Sequence, residues 1–309
     1  MRRSLGFLLA AALAAISLAG CDDDHNGTKT AKQEAASAAA RLGSGWFDVS
    51  KVRMSNWAFS GKSDGIDGIR AALEAGTLPP RESIGIAAMV DRFAPGGAEP
   101  GPAGPAFHPT VVLTTTPWND DTLLLWVGLA APPPAADPAT PPPHPAVSVE
   151  FDARNSAAYR PLGDPQALPA ETAGGGNAAI LYELAPLRQP TAKDGARYAT
   201  LHIRYDRTGA ADAPPDVDLA ITAAAFVETI DDAPEAVRFA AAVAGFGGLL
   251  RGDPAIRDLS CEDVIALAQG AAEPDPDGAR ALMIALMRRA EPLIDLPTAD
   301  SPQAGEVAH

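Results

Sequence analysis

The chain has 309 residues, of which 20% are charged and 47% hydrophobic. That balance excludes a mostly disordered chain and a multi-span membrane protein. The 39 acidic side chains against 24 basic ones leave a formal charge of −15, which argues against a nucleic-acid binder, since that role needs a basic face toward phosphate. Two cysteines cannot build a disulfide scaffold or a thiolate metal cluster, and five scattered histidines are thin material for a metal enzyme, so no metal and no other cofactor is expected.

The N-terminus carries an address. Arg2 and Arg3 precede an apolar run from Leu5 to Ala19 that ends in Leu18-Ala19-Gly20-Cys21. A basic start, an apolar core and small residues at the cleavage point mark a secretory signal, and the run is shorter than the ~20 residues of a membrane-spanning helix. The last four residues resemble a bacterial lipobox, which implies signal-peptide cleavage after residue 20 and acylation of Cys21. Two or more acyl chains anchor a protein stably in a bilayer where one does not. Asp22 and Asp23, directly after the cysteine, resemble the signal for retention at the inner membrane of enteric bacteria, with the outer membrane as the other destination. Residues 21–45, small and polar, read as a flexible tether that reaches roughly 25–30 Å as a coil. The acidic body is repelled by anionic headgroups and is expected to hang off the bilayer on that tether.

From residue 46 the elements begin. Phe47-Asp48-Val49-Ser50 reads as a short strand. Ile66, Ile69 and Leu73 with a stop at Gly76 predict an amphipathic helix, and Ser83 to Phe93 a second. Residues 94–109 are a Pro/Gly loop. Val111–Thr116 and Thr122–Leu129 are β-rich runs joined by Pro117-Trp118-Asn119-Asp120-Asp121, a hairpin pattern. Trp118 and Asn119 at its tip are candidate contact residues, with a core position for Trp118 the competing reading, and Asp120 and Asp121 read as solvated turn carboxylates. Residues 131–146 form a linker in which eight of the fourteen positions from Pro132 to Pro145 are proline, expected to be extended and exposed.

Beyond the linker, Val147, Val149 and Phe151 alternate with Ser148, Glu150 and Asp152, the pattern of a strand with one wet face. Ala179–Leu184 is a second strand and Val217–Ile221 a fourth. In the third, Ala199, Leu201, Ile203 and Tyr205 are read as inward and Tyr198, Thr200, His202 and Arg204 as outward. Helices follow. Asp232-Ala-Pro-Glu235 is read as a capping box, Ser260-Cys-Glu-Asp263 as another, and Asp275-Pro-Asp277 opens a third helix closing at Pro292. Glycines 245, 247 and 248 fall inside the first of these and are read as permitting close packing, not as a phosphate loop. Cys261 reads as a small buried side chain. The tail after 297 is expected to lack order.

Several landmarks occur together: Asp48-Val49-Ser50; Ile69 through Pro80; Ile86 to Phe93; Val112 to Leu129; then Val149-Glu150-Phe151, Ala157-Ala158-Tyr159-Arg160, Leu181-Tyr182-Glu183, Leu201 to Tyr205, Arg238 to Leu250 and Asp263 to Gly270. Their order and spacing resemble the YfbK-like bacterial lipoproteins that carry a von Willebrand factor type A domain: residues 46–130 resemble the N-terminal flank, and 147–290 the C-terminal domain of unknown function. In that family the type A domain lies between the two, where this chain has only the linker. The Asp-x-Ser-x-Ser motif that holds the domain's divalent metal is absent from the sequence.

The expected fold is α+β: an antiparallel β-sandwich-like core built from both sides of the linker, with an N-terminal helical pair and about three C-terminal helices. The alternative is two small domains joined by the proline stretch. Serine elbows, phosphate loops and paired zinc histidines are missing, and His202, on the outside of a strand, reads as solvated before it reads as catalytic. The expectation is therefore not an enzyme but an envelope lipoprotein acting through protein–protein contacts, its partners the bilayer through Cys21 and a full-length type A relative or another envelope protein, with no nucleic acid. The second reading is a binding module for a small ligand or cell-wall glycan, in which Trp46, Trp57, Trp118 and Trp126 would cluster. A hydrolase with an unrecognised site is the third.

Overall fold

The computed structural model describes residues 45–57, 66–93, 107–130, 145–163, 178–191, 195–205, 215–256 and 258–294. The signal segment, Cys21, Asp22, Asp23, the tether, the linker from 131 to 144 and the C-terminal tail lie outside the described residues. Among the described residues no helix is long and apolar enough to cross a membrane.

Among the described residues ten strands form two sheets. They are β1 (Phe47–Asp48), β2 (Met54–Trp57), β3 (His108–Thr116), β4 (Asn119–Ala130), β5 (Pro145–Phe151), β6 (Ser156–Pro161), β7 (Ala178–Pro186), β8 (Arg197–Tyr205), β9 (Val217–Thr222) and β10 (Phe226–Val227). The larger sheet runs β1-β6-β7-β4-β3-β10 and the smaller β2-β5-β8-β9. All ladders are antiparallel except the edge pair β10–β3, which is parallel. The helices are α1 (Ile66–Glu74), α2 (Ile86–Asp91), α3 (Glu235–Arg251), α4 (Cys261–Gln269) and α5 (Ala279–Ile294).

The layers follow from the side-chain pattern. Leu123-Leu124-Leu125-Trp126-Val127 is an unbroken apolar run, as a strand buried on both faces requires. Leu123, Leu125, Val127 and Leu129 enter the core shared with Val149, Phe151, Leu201 and Ile203 of the smaller sheet. Leu124 and Trp126 enter a second core with Phe239, Val243 and Phe246 of α3 and Ile69, Leu73 and Met89 of the N-terminal helices. The molecule is thus smaller sheet, larger sheet, helices, in three layers. α3 is apolar around its whole girth, because other elements surround it. Its glycines let them approach: a Cβ at Gly247 would sit 2.6 Å from the Ile86 side chain.

The strands of the two flanks interleave. β1 pairs with β6, β2 with β5, β4 with β7 and β3 with β10, each joining a strand before the linker to one after it. The expected core built from both sides of the linker is therefore present.

The structure departs from the sequence reading in several places. β6 at 156–161 was not anticipated, because Ala157-Ala158-Tyr159-Arg160 lacks the alternation of a half-exposed strand; all four residues are buried. Tyr198, expected outside, is fully buried and donates to the Arg188 carbonyl at 3.0 Å. A register shift between Arg197 and Ala199 breaks the alternation there. The capping box at Asp232 does not form: Thr229 caps a 3₁₀ turn over Ile230–Asp232, and α3 starts behind Pro234 with no side-chain cap. The box at Ser260 and Asp263 does form, and α5 runs through Pro292 to Ile294.

The ends of the sandwich differ. His108 lies opposite Ala130, Leu129 opposite Ala178, Trp57 opposite Val147 and Pro145 opposite Tyr205. A hydrogen bond from the Phe107 amide to the Tyr205 hydroxyl, 3.0 Å, ties the two sheets together at this end. The strand ends that border segments 58–65, 94–106, 131–144, 164–177 and 206–214 therefore stand at one end, and the tight β3–β4 turn at the other. Because every sheet joins both flanks, cleavage at a protease site introduced into 131–144 leaves the halves as one particle with a single unfolding transition, read by size exclusion and urea titration. Halves that separate without denaturant would contradict this topology.

Candidate functional site

The outward face of the smaller sheet is where alternating polar residues meet across strands. Ser148, His202 and Asp218 lie in register on β5, β8 and β9. His202 Nδ1 is 2.5 Å from the Asp218 carboxylate, and Nε2 is 3.6 Å from Glu150. Arg204 reaches the same Asp218 oxygen at 2.5 Å. His202 and Arg204 both hold the Asp218 carboxyl below its ordinary value through hydrogen bonds, His202 first. Nε2 of His202 is buried and makes no hydrogen bond, so Ser148, its neighbour in register, is not bound to the ring. The group is a partly exposed polar cluster centred on the Asp218 carboxylate. Among the described residues no group of three or more His, Cys, Asp or Glu side chains is arranged to hold a metal ion.

At the edge of this face lies a polar concavity of about 240 Å³, lined by Arg53, Glu150, Asp152, Arg154, Arg197 and Thr200 among others. Asp152 Oδ2 accepts from Arg197 at 3.1 Å. Arg53 and Arg154 form no ion pair within the described residues.

A second polar group is structural. On the helix-facing side of the larger sheet, Arg160 Nε lies 2.6 Å from Glu183 and its Nη1 2.5 Å from Asp253, just past the left-handed Gly252 that ends α3. Glu183 also accepts from Thr122 Oγ1 at 2.7 Å, and Thr122 contacts Thr116 Oγ1 at the same distance. The Trp46 ring covers the guanidinium at 5.6 Å. Burial alone would lower the Arg160 pKa; Glu183 and Asp253 outweigh it and hold it above its ordinary value. Breaking one side of such a triad strands a buried charge.

The two residues singled out at the hairpin tip have different surroundings. Trp118 is 6% exposed and packs in the helix-facing core near Gly245. Asn119 accepts from the Asp121 amide at 3.0 Å and shapes the turn. Beside that turn runs an open groove of about 500 Å³ lined by Thr116, Pro117, Asp120, Ile230, Arg238 and Asp263, among others. Trp57 and Trp126 are buried as well, and Trp46 is half-buried against Arg160, so the four indoles do not make an exposed stacking platform. The sequence alternation exposed Thr200, His202 and Arg204; their partners on β5 and β9, and the three arginines of the concavity, follow only from register.

Two predictions arise from these groups. Arg160→Met leaves Glu183 buried and unpaired and costs about 3–5 kcal/mol by urea unfolding, whereas Arg160→Met with Glu183→Met costs much less than the two singles summed. Asp91, at the end of α2, accepts from the Ala179 amide at 3.0 Å, and burial pushes its carboxyl from 3.8 up to about 7. The folded state therefore binds its proton more tightly than the unfolded chain. This contribution to stability is fully present below 3.8 and is lost as pH rises through about 7. Asp91→Asn flattens the pH dependence of the urea midpoint across that window; an unchanged slope would show that Asp91 does not carry it.

Residues 169–293 match the family model described as "Uncharacterized protein YfbK, C-terminal". The match begins later than the resemblance drawn from residue 147, leaving out β5 and β6 and taking in β7 to β10 and α3 to most of α5. No curated protein and no solved structure matches the chain. From ahead of β7 into its last helix, this chain is similar to the C-terminal part of YfbK.

Proposed function

We propose that the chain is a lipid-anchored lipoprotein of the bacterial envelope, acylated at Cys21, that acts as a non-catalytic scaffold through protein–protein contacts. In this reading it derives from a YfbK-like type A lipoprotein that has lost its metal-binding domain and kept the body that presented it. The observation that carries the reading is the interleaving of the two flanks. β4 and β5, which border the linker, belong to different sheets, and each is paired on both sides by other strands. A body closed in this way needs nothing between residues 130 and 145 to complete its ladders. The YfbK-like match over 169–293 supports the kinship, and the Leu18–Cys21 motif supports the anchor. Asp22 and Asp23 favour the periplasmic face of the inner membrane. The partner is a full-length type A relative or another envelope protein.

The test is a C-terminally tagged full chain extracted from membranes in mild detergent, beside a Cys21→Ser control. A stoichiometric envelope partner, retained with the native chain and reduced with the control, is the expected result. A purified chain that turned over a substrate, with loss on mutation of His202 or Asp218, would overturn the non-catalytic reading.

A further inference from the structure

Among the described residues five large apolar side chains stand exposed, and three of them, Phe47 (36%), Val52 (42%) and Met54 (44%), fall within the single stretch 47–54. They are interspersed with Lys51 and Arg53, both exposed. The stretch is held as one corner. The Lys51 and Val52 amides donate to the Asp48 carbonyl, closing a turn. Phe47 stacks on Tyr159 at 5.3 Å, Tyr159 on Phe151 at 4.0 Å, and the Tyr159 hydroxyl donates to the Met54 carbonyl at 3.4 Å. Met54 lies opposite Glu150 in the β2–β5 ladder, so the corner runs directly into the concavity of Arg53, Arg154 and Arg197.

The charges here are unlike those of the chain as a whole. Asp48 is matched by Lys51 at 3.3 Å and Asp152 by Arg197 at 3.1 Å. Glu150 faces His202. Arg53 and Arg154 are left over, and a guanidinium presents a donor fork suited to phosphate oxygens. Exposed aromatic and aliphatic side chains set among basic ones are the composition of a surface that lies in a membrane interface. The corner also follows directly on the segment that leads back to Cys21.

We propose that residues 47–54, with Arg53 and Arg154, form a docking face for an anionic bilayer surface: lipid phosphates occupy the arginine concavity, and Phe47, Val52 and Met54 enter the headgroup–acyl boundary. This rests on the anchored reading above and revises one part of it. The acidic body does not hang free on its tether but is laid against the membrane by this basic, apolar corner, which leaves the β9 edge and the helical layer for partners.

The experiment uses the full lipidated chain reconstituted into vesicles of phosphatidylcholine, or of phosphatidylcholine mixed with phosphatidylglycerol. An environment-sensitive fluorophore is placed at Met54→Cys and, as a control, at Leu282→Cys on the helical layer. Flotation reports the anchor; the label reports the corner. The expected result is flotation with both lipids and a blue shift at position 54, absent at 282, that is much larger with phosphatidylglycerol. The double variant Arg53→Glu, Arg154→Glu, still folded by circular dichroism, weakens the phosphatidylglycerol dependence by about tenfold or more. A chain that floats while the label at 54 stays aqueous overturns the docking face and leaves the anchor standing. A chain that does not float with either lipid overturns both. A blue shift that appears without lipid as protein concentration rises identifies a second copy of the chain as the occupant and overturns the proposal.

Discussion

Everything in this molecule depends on β4 having no face for water from Thr122 to Ala130. Its even and odd residues are claimed by two different cores, one under the smaller sheet and one under the helices. A strand of that kind is stable only when both neighbours in its sheet and both covering layers are present. One neighbour, β3, comes from the same side of the linker; the other, β7, comes from beyond it. Cooperativity between the flanks therefore rests on hydrophobic burial about a single central strand and does not require the linker to be ordered.

That arrangement explains an otherwise expensive feature. Where β6, β7 and the end of α3 converge, the larger sheet carries a charged triad on a face that is elsewhere apolar. The attraction of Arg160 for Glu183 and Asp253 works against the cost of desolvating these charges, and the Thr122 hydroxyl on Glu183 and the Trp46 ring over the guanidinium add to it, although Arg160 Nη2 stays buried without a hydrogen bond. An apolar replacement could stabilise the sheet as well, but it would not bind the turn after Gly252 to one strand position. The triad thus fixes where α3 lies on the sheet, with Trp46 from the N-terminal flank closing over it.

Much of the architecture was legible in the residues, for physical reasons that differ by element. β4, β5 and β8 announced themselves through unbroken or alternating burial, α1 through Ile66, Ile69 and Leu73, and α4 through Ser260 and Asp263. What escaped was whatever depends on partners far away in sequence. The Ala157–Arg160 strand is short-chained apart from Tyr159 and Arg160, and it is a strand because β1 and β7 flank it. Tyr198 was misplaced because a register shift is a property of two strands, not of one. Asp232 carried a capping pattern, yet Thr229 upstream won the local competition for amides. The candidate site was legible in the same proportion: His202 was visible as an outward residue, but Asp218, Glu150 and the arginines of the concavity reach it only across ladders. Trp118, the most conspicuous residue of its hairpin, turned inward because the helix-facing core, with α3 beside it, was there to take the ring.

The asymmetry between the two ends of the sandwich has a consequence for how such a protein changes over time. Strand ends that border long connections are gathered at one pole, and the ladders that hold the sheets run on from it through strands that need none of those connections to pair. The free energy of closing a flexible connection grows only as the logarithm of its length, roughly 0.6 kcal/mol per doubling, so genetic material can enter or leave at that pole with little effect on the body. The junction between Ala130 and Pro145 is in this sense a splice point. Its borders, Ala130 and Pro145, end strands of different sheets, and both strands are paired on each side without it. The same property makes it the natural place to graft a reporter or a binding domain onto this framework.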